Sequence, residues 1–277
     1  MLARIPVLIV ALIVAGLFFA FMEWRWPSVR GQKRLRRGVF TDVSGYFFTA
    51  TLGRLFSGVF VFIIIVVAAR VLGIGPTGEQ LRGLAARETQ ISQWPLGLQI
   101  VAFTLLADFL GYWQHRAFHT FERLWRMHAV HHSSTELDWL SAVRVHPLND
   151  AISSAIVATP LLPLGFSATP LGASLPLLTL YAIALHANVS WGYGPLRYAI
   201  ASPAFHRWHH SNKPAAINKN FAGLLPVWDV IFGTIYLPKD RRATSFGVNG
   251  DEVPLAFLQQ IVYPLRRRKA TTAEAAA

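Results

Sequence analysis

Apolar positions in this chain gather into long runs, not into the alternation of a half-buried strand or the three-and-four spacing of a surface helix. The first run, residues 5–22 (IPVLIVALIVAGLFFAFM), is unbroken. A helix of about 20 such residues crosses the hydrocarbon core of a bilayer. Its length, and the aromatic and basic stretch that follows it in place of a small-residue cleavage site, read as a retained helix and not a signal peptide. Glu23, Trp24 and Trp26 then fall at the interface, where Trp is favoured. A second run covers 46–69, with Arg54 near one end able to snorkel, and a third covers 96–113 after Pro95. Two shorter stretches containing proline, 151–168 and 171–190, read as a hairpin that either crosses and returns or enters and leaves on one side. The pattern predicts an all-α, multi-pass membrane protein with four or five spans.

Charge between the runs orients it. The first loop carries Arg25, Arg30, Lys33, Arg34, Arg36 and Arg37. The second carries Arg70, Arg82 and Arg87, offset by Glu79 and Glu88. Basic loops stay in the cytoplasm, so the first loop is expected there. Five spans then put 114–150 and everything from 191 on the same side, including the basic Arg266, Arg267, Arg268 and Lys269. Asn188-Val189-Ser190 falls at the cytoplasmic end of the fifth run, where no glycan is expected. Composition agrees, since 14% of residues are charged against about 25% in soluble domains. The net charge of +12 therefore reads as membrane-facing loops, and no nucleic-acid partner is expected. Short loops, the absence of cysteine and no evident organelle signal suit a bacterial inner membrane, with the endoplasmic reticulum as the alternative. The chain has no internal repeat, and its alanine-rich end, 270–277, is expected to fray.

Without cysteine, disulfides, thiolate-bound zinc and thiol nucleophiles are excluded. A metal site has to be built from His, Asp, Glu or Asn. All ten histidines lie at or beyond residue 115. Eight form three boxes: His115 and His119; His128, His131 and His132; His206, His209 and His210. On a helix, positions three and four apart share a face about 5–6 Å apart, so each box can converge on a metal. Asp108 lies seven residues before His115, on the same stripe, and is expected to hold the second ring nitrogen of a ligating histidine. Eight histidines exceed what one ion takes, which predicts two metal ions. Imidazole suits iron, zinc and copper alike. Soluble carboxylate-bridged bundles use Glu-x-x-His, and His-Glu-x-x-His marks zinc hydrolases; neither occurs here. A transporter would carry polar groups along its spans, whereas these histidines lie at span ends or beyond them. Trp113, Trp125 and Trp208 read as core.

These residues resemble the fatty acid hydroxylase and sterol desaturase superfamily of integral membrane proteins. The resemblance covers roughly 100–240. It runs through Asp108-Phe-Leu-Gly-Tyr112-Trp113-x-His115-Arg116-x-x-His119 and Leu124-Trp125-x-x-His128-x-Val130-His131-His132-Ser133. It continues through Arg144-Val-His146-Pro147, Leu185-His186-Ala187-Asn188 and Ser202-Pro203-x-x-His206-Arg207-x-His209-His210. It closes on Asn220-Phe221-Ala-Gly223 and Trp228-Asp229-x-x-Phe232-Gly233-Thr234.

The resemblance implies two Fe ions held by the three boxes plus further histidines. His186 is the first candidate, and His146 stands between ligand and structural residue. Asn188 is expected to be a ligand or a donor behind the ligands, and Asp229 to bond a ligating histidine or Arg207. The implied activity is O2-dependent hydroxylation of an unactivated C–H bond in a fatty acyl, sterol or related lipid that enters from the bilayer. Desaturation by the same centre is the alternative. With no flavin or nicotinamide fingerprint in the chain, electrons are expected from a separate carrier, a ferredoxin or cytochrome b5-like protein. The organisation expected is membrane helices and loops in 1–94, a catalytic domain in 95–240 with a cytoplasmic helical cap holding the di-metal site, and a basic cytoplasmic tail in 241–277.

Overall fold

A computed structural model of the chain describes residues 4–71, 73, 89–166, 168–250 and 252–266. The frayed end expected at 270–277 lies outside these residues, as do Arg267, Arg268 and Lys269. The described residues are helical, with two isolated bridges (Pro27 with Val189, Ser211 with Phe246) and no strand. The helices are α1 (Ile5–Arg25), α2 (Val39–Phe48), α3 (Arg54–Val71), α4 (Leu96–Thr120), α5 (Glu122–His132), α6 (Pro147–Leu164), α7 (Ala168–His186), α8 (Pro203–His209), α9 (Val227–Ile231) and α10 (Phe257–Val262). Proline opens several of them, in α1, α6 and α8. The first turn has no use for the missing N–H, and its fixed φ suits a helix start.

Among the described residues three helices are long and apolar enough to cross a membrane: Ile5–Arg25, Val39–Val71 and Leu96–Thr120. They make this a membrane protein, and their number is smaller than the four or five expected. The third extends seven residues past the predicted 113. The second begins at Val39, not 46, because the polar Thr41 and Asp42 are helical and buried instead of forming a loop. A π turn, Thr49–Gly53, joins α2 to α3; there Thr51 Oγ1 donates to Phe47 O at 2.6 Å, drawing on a helix carbonyl. Large apolar side chains on α1, among them Val10, Val14, Leu17 and Phe21, are exposed, as lipid solvation allows. Phe19, on its inner side, stacks on Trp139.

Contacts at the two ends give the direction of each helix. At one end Glu23 of α1 accepts from the N–H groups of Trp139 and Asn188. α4 and α7 terminate there, and α2 and α6 begin there. At the other end Thr89 Oγ1 donates to the carbonyls of Leu164 and Gly165, where α6 finishes. Thus α6 leaves the first end and α7 returns to it, the out-and-back path expected of 151–190. α7 contains Pro176, and its apolar part, Ser174–His186, is about 20 Å long at 1.5 Å per residue. α6 packs along α3, and α4 packs against both α6 and α7. The end shared by α4 and α7 carries a buried cluster of Tyr112, Leu185, Ala201, Phe205, Phe221 and Ala222. The histidines sit beside it.

Candidate metal centre

Each histidine is delivered by a helix end. α4 is 25 residues, about 37 Å and so longer than the roughly 30 Å of hydrocarbon a span needs, and its last turns carry His115 and His119. Phe121, in extended conformation (φ −96°, ψ 121°), breaks α4 and starts α5 with no loop between them. His128, His131 and His132 therefore fold back against the first box. Ser202 caps α8, its Oγ accepting from Phe205 N at 3.2 Å, and α8 presents His206, His209 and, at its C-cap, His210. His186 is the last residue of α7.

Nine of the ten histidines converge in two sets. His115, His119, His128, His132 and His209 place one ring nitrogen each within 4.8 Å of one another; His131, His186, His206 and His210 do the same. The sets adjoin: the His132 and His210 rings stack with centroids 4.3 Å apart. Adjacent residues on α5 and on α8 serve different sets, because successive side chains leave a helix about 100° apart.

Hydrogen bonds behind the rings fix which nitrogen is free. Nδ1 of His115 donates to Phe221 O at 2.7 Å, that of His128 to Asn149 Oδ1 at 3.0 Å and that of His209 to Lys219 O at 2.9 Å. In the second set, Nδ1 of His131 donates to Arg144 O at 3.2 Å and that of His186 to Ala182 O at 2.7 Å. A neutral ring protonated at Nδ1 presents a bare lone pair at Nε2. Yet the Nε2 atoms face each other closely: His115 to His128 at 3.0 Å and His131 to His186 at 3.0 Å. No proton is available between such lone pairs, and a shared cation is what removes their repulsion. The buried Nε2 of His119 has no hydrogen-bond partner at all. Burial first, then the neighbouring rings, push the pKa of His132, His206 and His210 well below its ordinary value. Neutral imidazole is the form that binds metal. The donor set therefore fits metal ions in both positions.

The remaining sequence candidates lie elsewhere. His146 is outside both sets: its Nδ1 accepts from Leu148 N and its Nε2 donates to Ile261 O at 2.9 Å. Asp108 touches no histidine. It accepts from the N–H groups of Leu224 and Leu225 and from Trp228 Nε1. Seven residues put it about 10 Å down α4 from His115, beyond the reach of a carboxylate. Asn188 holds Val29, bonding both its N–H and its carbonyl at 2.9 Å. Asp229 bonds neither a histidine nor Arg207. It accepts from the N–H groups of Phe221 and Ala222 and from Thr234 Oγ1, and so steadies the peptide whose carbonyl holds His115. Trp208 is buried, whereas Trp113 is 42% exposed and Trp125 packs 5.0 Å from the His119 ring, at the site itself.

Two openings flank the centre. A cavity of about 280 Å³ is walled by His119, Trp125, His132, His209 and His210 with Asn212, Asn218 and the 247–249 segment. A groove of about 290 Å³ between α1 and α7 is lined by Phe18, Met22, Leu177, Leu180, Ala184 and Trp191, among others. Ala184 and Ala187 in that groove flank His186 along the chain.

Residues 100–234 match the fatty acid hydroxylase family. The chain is 34% identical to the ornithine lipid hydroxylase of Rhizobium tropici over 177 residues, 64% of this chain and 53% of that protein. It is 36% identical to the alkylglycerol monooxygenase of Homo sapiens over 134 residues, 48% of this chain and 30% of that one. With a very-long-chain aldehyde decarbonylase of Oryza sativa subsp. indica it shares 28% identity over 160 residues, 52% and 24% of the two chains. The matches span about half or less of these curated relatives' own length. No solved structure matches. The family match and the relatives together place this chain in the fatty acid hydroxylase superfamily.

Proposed function

We propose that the chain is a membrane-bound di-iron oxygenase that hydroxylates an unactivated C–H bond of a lipid. The observation that carries this reading is the pair of histidine sets with their Nε2 lone pairs turned inward. Six Nε2 separations within the sets, His115–His128, His128–His132, His132–His209, His131–His186, His186–His206 and His206–His210, lie between 3.0 and 3.2 Å. Ligands at right angles around an ion, with bonds of about 2.1 Å, stand about 3.0 Å apart, whereas tetrahedral ligands stand about 3.4 Å apart. Either arrangement brings the lone pairs onto a common ion, and iron is preferred because hydroxylation of a C–H bond needs a redox-active metal.

His115, His119, His128, His132 and His209 would hold one ion, and His131, His186, His206 and His210 the other. Bound iron supplies oxygen activation, chemistry that no side chain here provides. The protein's own part is to orient and to exclude. Phe221 O, Asn149, Arg144 O, Ala182 O and Lys219 O hold five of the nine rings as Nδ1–H tautomers, so that the Nε2 atoms of His115, His128, His131, His186 and His209 stay available. Burial keeps the rings neutral. The groove between α1 and α7 receives an alkyl chain from the bilayer and excludes water beside His186. Electrons come from a separate carrier, a ferredoxin or cytochrome b5-like protein, drawn to the basic side of the chain. The histidine end faces the cytoplasm in this reading, with the catalytic part in 95–240, membrane helices before it and a basic tail after it. A bacterial inner membrane suits it.

The test is metal content per chain, by elemental analysis of detergent-purified, iron-replete protein, with and without His131→Ala/His132→Ala. The double substitution removes one ligand from each set. About two irons per chain are expected in the wild type, as two-metal centres require; the variant, left with four nitrogens in one set and three in the other, is expected to lose at least one of them. Iron absent from the wild type, or unchanged by the substitutions, would overturn the assignment.

A further inference from the structure

The segment before α2 and its first turns lie outside residues 100–234, the stretch that matches the family. They nonetheless carry deeply buried charges. The side chains of Arg36 and Asp42 are 0% exposed, that of Asp138 is 8% and that of Arg144 is 3%. Arg36 forks onto Asp138, Nε to Oδ2 at 2.6 Å and Nη2 to Oδ1 at 2.5 Å. Its Nη2 also reaches Asp42 Oδ2 at 2.6 Å and Ser141 Oγ at 2.8 Å. The other oxygen of Asp42 accepts from Arg144 Nε at 2.5 Å. Arg144 directs its remaining donors at Ser133 Oγ and Gly38 O. Burial opposes the charge on Arg36, and the bonds and charges of Asp138 and Asp42 more than restore it, raising its pKa above the ordinary value.

The main chain is fitted as closely. Gly38 has φ +91°, and a Cβ there would stand 2.4 Å from Arg144 Nη2. A Cβ at Gly45 would stand 2.9 Å from Val143 O. Asp138 caps the turn Trp139–Val143 through a reciprocal box with Ser141, and that turn delivers Arg144. Arg144 O is the acceptor of His131 Nδ1.

We propose that Arg36, Asp42 and Asp138 are positioning residues for the four-histidine set. Arg36 and Asp42, from the N-terminal part of the chain, close with Asp138 into a clamp on Arg144 that holds its carbonyl, and through it the ring of His131. The five-histidine set is supported from elsewhere, by Phe221, Asn149 and Lys219. Within the four-histidine set, His186 leans on its own helix, and the buried Nδ1 of His206 has no partner. A buried ion quartet is a poor stabiliser compared with well-packed apolar side chains. What a forked arginine between two carboxylates supplies is fixed geometry.

This inference rests on the metal reading, so the test begins with wild-type full-length protein in detergent, stripped of metal and titrated with cobalt(II). The visible absorption of cobalt(II) follows ligand number. Two binding steps are expected. Asp42→Asn should weaken one step about 10- to 100-fold, the usual cost of losing support behind a ligand, and leave the other unchanged. Arg36→Lys keeps the charge, loses the fork and folds more readily, and it should weaken the same step by less. A merely structural role would lower the urea midpoint and weaken both steps in parallel. That outcome, or two unchanged steps in both variants, overturns the clamp alone. Wild-type protein that binds no cobalt overturns the metal reading and the clamp with it.

Discussion

The five-histidine set is assembled from α4, α5 and α8, and three of its members, His119, His132 and His209, wall a cavity with polar neighbours. The four-histidine set is assembled from α5, α7 and α8. All four members are buried, and only His210 among them reaches that cavity. The groove between α1 and α7 is lined by Ala184 and Ala187, the neighbours of His186 along the chain, and by no histidine. One set thus has more donors and more access to water, while the other has fewer donors and a drier surround. An ion held by four nitrogens retains more free coordination positions than one held by five, and in a dry site each electrostatic interaction is stronger. Under the proposed function, this contrast gives the larger set a holding role and makes the smaller one the candidate for the reacting ion.

Removing one ligand from each set separately gives the largest expected difference. His186→Ala leaves three nitrogens in the smaller set. Iron should fall from about two per chain to about one, with hydroxylated product lost below detection. His119→Ala leaves four nitrogens in the larger set, as many as the smaller normally has. Iron content should stay near the wild-type value, with turnover reduced. Elemental analysis beside product measurement checks both, and the reverse pattern would break the division of labour.

Acid tests whether the sets differ in protonation or only in access. His128, His132 and His209 of the larger set and His131, His206 and His210 of the smaller all have pKa values pushed well below the ordinary 6.5, by burial first and neighbouring rings second. As pH falls below about 6.5 the unfolded chain takes up protons on these rings while the folded chain does not. Stability therefore declines with falling pH through that window, down to the folded-state values. Both ions should be retained until the fold itself is lost. Iron release and loss of helical circular dichroism should superimpose on titration from pH 7.5 to 5. Release of one ion from an intact fold would show that one set is protonated on its own.

How much of this was legible beforehand divides along physical lines. The three boxes could be read because positions three and four apart share a helix face, and His186 because it ends the helix that leads to α8. The all-helical class followed from the long apolar runs. The division into five and four was not legible. It depends on how α4 and α5 fold back at Phe121, and on which of two successive rings, His131 or His132, turns to which side. The supports were hidden for another reason. Phe221, Arg144, Ala182 and Lys219 act through main-chain carbonyls, which leave no mark on residue type. Asp108 showed the limit of stripe reasoning, since a shared face does not imply a shared height. Arg36 read as part of a basic loop before a span because charge is ordinarily solvated, and only the fold shows it buried and paired with Asp42.

The smallest expected effect comes from the tenth histidine, and it bounds the comparison from outside. His146 precedes α6 with both ring nitrogens engaged by main chain, Nδ1 as acceptor and Nε2 as donor. Those two bonds specify one neutral tautomer and leave no lone pair for a metal. His146→Gln keeps a donor and an acceptor on a side chain of similar reach, so the contact to Ile261 can be partly replaced. The cost should be about 1 kcal/mol of stability, the net worth of one hydrogen bond, read as a small fall in the urea midpoint. Iron content and both cobalt-binding steps should match wild type. If His146→Gln instead loses an ion, a tenth ligand belongs to one of the sets, and the contrast between five donors and four has to be redrawn.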